Sequence, residues 1–257
     1  MLSILAYFNH EKTDAFSIYR LKPENRDDFL KDITDGFRQC YITDKFLEKK
    51  AKENNLTKSE FIAKYILPSE GKIKSGDFGE MLSYFFVTEN YAHKGFPLIA
   101  PRKWQWKEDR DKATPFSDVV GFYYEDEKAP SENDFIVCVE SKMKATKSAK
   151  HRIQEAIDGA NKDRLTRLAK TLIWLEGRYA KDGNLNMRKF IERYSKPVGK
   201  KTYHKYYKAF TIIDKEFENA EISKSISNAD SIAIIVVTME ELKNIYECNL
   251  KGIIESV

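Results

Sequence analysis

Six consecutive apolar residues, Ile232-Ala233-Ile234-Ile235-Val236-Val237, leave this chain few ways to fold. Side chains of a strand alternate between faces, so a strand apolar at every position needs cover on both of them. The run therefore predicts a sheet enclosed by helices, an α/β sandwich. At 257 residues the chain can bury a substantial core, as one domain or as one domain with a large insertion.

Other segments fit that frame. Met1 to Phe8 reads as an edge strand, being too short for a signal h-region and lacking a basic leader. Apolar Phe29, Ile33, Phe37, Cys40 and Tyr41 predict a helix from Pro23 to about Lys52. Thr57-Lys58-Ser59-Glu60 has the form of a capping box, opening a short helix that ends before Pro68. After a loop from Ser69 to Ser75, a helix is expected over Gly76 to Val87, then a strand over Leu98 to Trp106 broken by Pro101. Helical spacing runs from Ser148 to about Tyr179, with Gly159 marking a break. A strand over Ala209 to Ile213 and a last helix over Met239 to Cys248 complete the pattern. The expected organisation is an N-terminal strand and helical extension over 1–70 and a core over 71–257, with a helical insertion around 160–208. No window approaches a membrane span. Three widely separated cysteines without a C-x-x-C fit a reducing cytoplasm and suggest neither disulfides nor zinc.

Two further apolar runs carry the chemistry. Asp118 opens Val119-Val120-Gly121-Phe122-Tyr123-Tyr124, and Phe135-Ile136-Val137-Cys138-Val139 leads into Glu140-Ser141-Lys142. Both are rich in β-branched and aromatic residues and preceded by turn formers, as strands are. In a strand Glu140 and Lys142 share a face. Unlike charges ending a core strand must face each other, a metal or a cleft, because burying them unpaired is costly. Hydrolysis of a phosphodiester needs a hard divalent cation with oxygen ligands. Asp118 and Glu140 would supply two carboxylates, Lys142 would orient the attacking water, and Glu80 on the preceding helix is a third ligand candidate. The plain alternative is a Glu–Lys pair and an Asp on a solvated rim, with Glu80 a carboxylate favoured by a helix N-terminus.

The net charge of +4 permits nucleic-acid binding without requiring it. Lys144, Lys147, Lys150 and Arg152 follow Lys142 with no acidic residue among them, and are candidates to hold DNA phosphates. Gln154 reads as an exposed helix residue, and His151 as a surface or core residue that is also a candidate phosphate contact. From Arg188 to Lys208, eight Lys or Arg against the single Glu192 alternate with Tyr194, Tyr203, Tyr206 and Tyr207. That mixture suits strand stacking, a protein interface, or tyrosines packed inward from a solvated helix.

Gly79-Glu80 on a helix, Pro115 and Ser117-Asp118, then Glu140-Ser141-Lys142 resemble the PD-(D/E)-x-K restriction-endonuclease-like superfamily. More narrowly, Ser75-Gly76-Asp77-Phe78-Gly79-Glu80, Pro115 to Gly121 and Val139 to Ala145 resemble the HamA family, nuclease subunits of Hachiman anti-phage systems. The likeness covers Gly71 to Arg164 well and the flanks loosely. It implies a restriction-endonuclease-like mixed sheet flanked by helices and a Mg2+-dependent DNase in which Mn2+ substitutes. It further implies DNA as substrate and a HamB-like helicase partner that restrains cutting. It also implies Asp118, Glu140 and Glu80 as metal ligands, with Lys142 completing the catalytic set. One departure is Ser117, directly before Asp118, with the proline two positions earlier. A competing reading is a non-catalytic subunit that binds DNA and helicase on the same fold. A sequence-specific restriction enzyme would need a recognition element that the chain does not display.

Overall fold

In a computed structural model that describes residues 3–196 and 203–257, six strands form one mixed sheet in the order β1-β2-β6-β5-β4-β3. They are β1 (Phe8–Lys12), β2 (Phe16–Leu21), β3 (Val119–Tyr123), β4 (Phe135–Lys144), β5 (His204–Asp214) and β6 (Ile232–Met239). The outer pairs β1–β2 and β3–β4 are antiparallel, and the contacts of β6 with β2, of β5 with β6 and of β4 with β5 are parallel. The apolar run at 232–237 thus lies between two parallel neighbours, and each of its faces meets helices.

On one face pack α1 (Arg26–Tyr41), α2 (Asp44–Glu53), α3 (Lys58–Phe61), α4 (Gly71–His93) and the final helix. Phe37, Leu47, Phe61 and Phe78 meet Val137, Val139, Phe210 and Ile212 there. The opposite face is covered by α5 (Arg152–Lys162), α6 (Leu168–Lys181) and α7 (Leu185–Ser195). Ile153, Leu172 and Ile191 pack on Val120, Ile136, Cys138 and Val236 in that second core. A short α8 (Glu218–Ile222) lies between β5 and β6, and α9 (Leu242–Glu255) returns to the first face. The fold is a mixed α/β sheet flanked by helices, with a helical N-terminal region, as expected. The N-terminal strands belong to the same sheet as the rest, β2 pairing directly with β6.

The capping box forms: Thr57 Oγ1 accepts from the Glu60 amide at 3.2 Å, and Glu60 Oε2 accepts from the Thr57 amide at 2.8 Å. Several boundaries differ from expectation. Ile4–Tyr7 is a 3-10 turn rather than strand, because Ile4 and Tyr7 are both buried at a spacing of three. Met1 and Leu2 lie outside the described residues. The helix expected to reach Lys52 breaks at Ile42, whose backbone is extended while its side chain is buried. Helix α4 starts at Gly71, within the expected loop, where the Asp111 carboxylate accepts from the Ser69 and Glu70 amides at 2.6 and 3.2 Å. Between Leu98 and Trp106 only an isolated bridge from Ile99 to Phe122 forms, followed by a 3-10 turn at Lys103–Trp106. Gly159 lies inside α5 without breaking it, and a π-helical turn at Asp163–Arg167 joins α5 to α6. Among the described residues no helix is long and apolar enough to cross a membrane.

Candidate active site

Strands β3 and β4 pair with Val119 opposite Val139 and Val120 opposite Cys138. Extending that register by one residue sets Asp118 across from Glu140, on the face shared by Val120 and Cys138. Asp118 Oδ2 accepts from the Ser141 amide at 2.8 Å, which closes the ladder with a side chain. Lys142, two residues beyond Glu140, returns to the same face. Its ammonium lies 2.5 Å from Glu140 Oε1 and 4.0 Å from Asp118 Oδ2, and donates to the Ser141 carbonyl at 3.2 Å. Burial, and then the Glu140 charge, push the Asp118 carboxyl up to about 6. Burial lowers the pKa of the Lys142 ammonium, but the attraction of Asp118 and Glu140 outweighs it and leaves the group above its ordinary value. Asp118, Glu140 and Lys142 therefore converge at one end of the β3–β4 pair.

The helices behind them hold Glu140 from the other side. A Cβ on Gly159 would stand 2.3 Å from Glu140 Cδ, so only glycine lets α5 approach this closely. Arg167 Nη2 donates to Glu140 Oε2 and, at 2.8 Å, to the Gly159 carbonyl. Its Nε donates to Asp163 Oδ1 at 2.7 Å, and that oxygen accepts from Ser117 Oγ at 2.6 Å. One chain of charge-assisted hydrogen bonds thus joins Glu140 to the residue preceding Asp118. Sequence reasoning missed Arg167, Asp163 and Gly159. A signal existed, since Asp163 and Arg167 are four residues apart on a helix and so face each other.

Glu80 approaches from α4, on the opposite face of the sheet. The Trp104 indole and the Thr114 hydroxyl donate to its Oε2 at 3.1 and 3.3 Å. Burial, and then the Asp118 charge, raise its pKa well above the usual carboxylate range. Lys103, also buried, is lowered by burial against the opposing pull of Glu80 and Asp118. Among the described residues no three His, Cys, Asp or Glu side chains form a group able to hold an ion unaided. The donor chemistry still suits a hard cation. Two carboxylates face each other closely enough for one to raise the pKa of the other, with the Ser141 carbonyl beside them.

The basic segment after Lys142 behaves differently from its sequence reading. Lys144 is buried, and its ammonium pairs with the fully buried Glu221 at 2.8 Å, so this candidate phosphate contact is a structural ion pair instead. Arg152 is bound to Glu155 at 2.5 Å, while Lys147 and Lys150 remain exposed. His151 turns its ring nitrogen to the Glu221 carbonyl at 3.1 Å rather than outward. Gln154 holds Ser227, accepting from its amide at 2.9 Å. Farther on, Tyr194 and Tyr207 pack inward and the Tyr203 hydroxyl donates to the Tyr194 carbonyl at 2.7 Å, leaving Tyr206 exposed. Residues 197–202 of that basic stretch lie outside the described ones.

The HamA family profile matches residues 4–248, which spans both the site and the helices behind it. The chain belongs to the HamA family. The match reaches well beyond the segment from Gly71 to Arg164, taking in the N-terminal strands and the first half of α9. HamA membership supports a place among the components of Hachiman defence. A comparison with curated proteins gives no match.

Proposed function

We propose that this HamA-family protein is a divalent-metal-dependent deoxyribonuclease, the effector of an anti-phage complex in which a HamB-like helicase restrains it. The observation that carries the reading is the convergence of Asp118, Glu140 and Lys142, with the Lys142 ammonium within 4.0 Å of both carboxylates. The arrangement has the form of a PD-(D/E)-x-K site.

Asp118 and Glu140 would hold Mg2+, with Glu80 approaching from α4, and Mn2+ would substitute. Bound there, the cation supplies charge neutralisation at the phosphate and a water acidic enough to attack at neutral pH. Lys142 would orient the attacking water and place positive charge where the phosphoryl oxygens gain negative charge. Arg167 and Gly159 fix the carboxylate of Glu140, so that little reorganisation accompanies substrate binding. Exposed Lys147 and Lys150 lie downstream of the catalytic strand and suit non-specific phosphate contact.

Incubation of supercoiled plasmid with the protein and Mg2+ tests the reading. Cleavage is expected, with its loss in EDTA and in Glu140→Ala and Lys142→Ala variants that remain folded by circular dichroism. Equal cleavage by both variants would remove these residues from the chemistry. A second reading draws on the fact that both Glu140 oxygens already accept from cations, Lys142 and Arg167. In that reading the fold binds DNA and helicase without cutting, and the parent protein leaves the plasmid intact at every Mg2+ concentration.

A further inference from the structure

Phe116 stands two residues before Asp118 with a φ of +65°, a region that bulky L-residues avoid. It is 37% exposed, so burial of the ring offsets only part of that strain. The backbone is nevertheless held in place from both sides. The buried Lys103 ammonium donates to the Pro115 carbonyl at 3.3 Å and to the Ser117 carbonyl, pinning the chain on each side of Phe116. Ser117, fully buried, donates its amide to Thr171 Oγ1 at 3.3 Å and its hydroxyl to Asp163 at 2.6 Å. Taking a lysine out of water is costly, and here its protons go to main-chain carbonyls of a single turn. A strained backbone this heavily determined, carrying a partly exposed aromatic side chain two residues before Asp118, points to a ligand for that side chain.

We propose that Phe116 is a nucleobase-stacking residue, receiving the face of an unpaired base beside the phosphate held at Asp118, Glu140 and Lys142. The inference rests on the nuclease reading and narrows it, naming single-stranded DNA as the preferred substrate. Bases within a duplex have their faces covered by neighbours, whereas an unpaired base offers a free π-surface to an aromatic side chain. Stacking is also indifferent to sequence, because every base has such a face.

The test is binding of a fluorescent oligothymidylate and of a blunt DNA hairpin to the full-length protein, with Ca2+ replacing Mg2+. Phe116→Asn removes the ring while tolerating the left-handed backbone, and Phe116→Trp restores a stacking surface. The Asn variant should bind oligothymidylate about tenfold more weakly. The Trp variant should match the parent, hairpin binding should change little, and the Asn variant should melt no lower than the parent. Unchanged oligothymidylate affinity in the Asn variant, or equal losses on single strand and hairpin, would overturn the proposal. Plasmid cleavage run in parallel separates the two readings. A parent that cuts DNA while the Asn variant binds normally removes the stacking role alone; a parent that neither cuts nor binds removes both.

Discussion

Arg167 carries more of the site than any residue the motif names, because one guanidinium meets Glu140, Asp163 and the Gly159 carbonyl together. A lysine ammonium lacks the planar fork needed to reach all three. Arg167→Lys should therefore lower kcat by about tenfold with KM little changed, read by steady-state cleavage of a labelled oligonucleotide. A proportional rise in KM instead would place Arg167 in substrate binding. Gly159 makes a sharper prediction, since an added Cβ would fall 2.3 Å from Glu140 Cδ and 2.4 Å from its Oε1. Gly159→Ala should cost about 1–3 kcal/mol in urea unfolding, and most of that loss should vanish in a Glu140→Ala background. Undiminished loss in the double variant would show that the clash lies elsewhere. At this scale the motif residues were legible and their supports were not. Asp118, Glu140 and Lys142 announce themselves as charges bounding apolar strands. Gly159 looks like a helix breaker until the neighbouring strand is known.

Among the elements, periodicity revealed what local packing enforces and missed what distant packing imposes. The strands around Asp118 and Glu140, the capped turn at Thr57 and the apolar β6 were readable, each because its own residues bury or satisfy it. The Ile4–Tyr7 turn was not, since Glu89 on α4 fixes it by accepting from Ser3 Oγ and the Ile4 amide, both at 2.7 Å. Lys144 misled for the same reason: its partner Glu221 lies 77 positions away. Strand β5 holds another such case. Lys208 sits opposite Val139, its ammonium 5.4 Å from the Tyr91 ring, and burial with the nearby Lys94 charge lowers its pKa to about 8. An unfolded lysine titrates near 10.4, so between about pH 8 and pH 10 the unfolded chain binds the extra proton and stability rises with pH. Below that window the charged side chain is a standing cost. Lys208→Met should raise Tm at pH 7 by several degrees, a gain that shrinks as pH climbs towards about 10. A gain independent of pH would assign the effect to packing rather than ionisation.

For the whole molecule, the sheet sets where chemistry can occur. Two apolar cores, one on each face, leave the end of the β3–β4 pair as one of the places where buried charges collect. Asp118, Glu140, Lys142, Arg167 and Asp163 gather on the α5–α6 side, while Glu80 comes from α4 and Lys103 from the 3-10 turn at Lys103–Trp106. The N-terminal strands and helices extend the same sheet and the same first core, in keeping with a HamA match that begins at residue 4. The sandwich was legible because an apolar run covered on both faces admits few alternatives; the six-strand order was not, because no local pattern records which strand becomes a neighbour. The proposed chemistry requires Asp118 and Glu140 to share a divalent ion. Titration of Mn2+ followed by electron paramagnetic resonance tests this without any substrate. The parent should take up Mn2+, and Asp118→Ala and Glu140→Ala should each lose that binding while remaining folded. Mn2+ uptake that is the same in all three proteins, or absent from the parent, would contradict it.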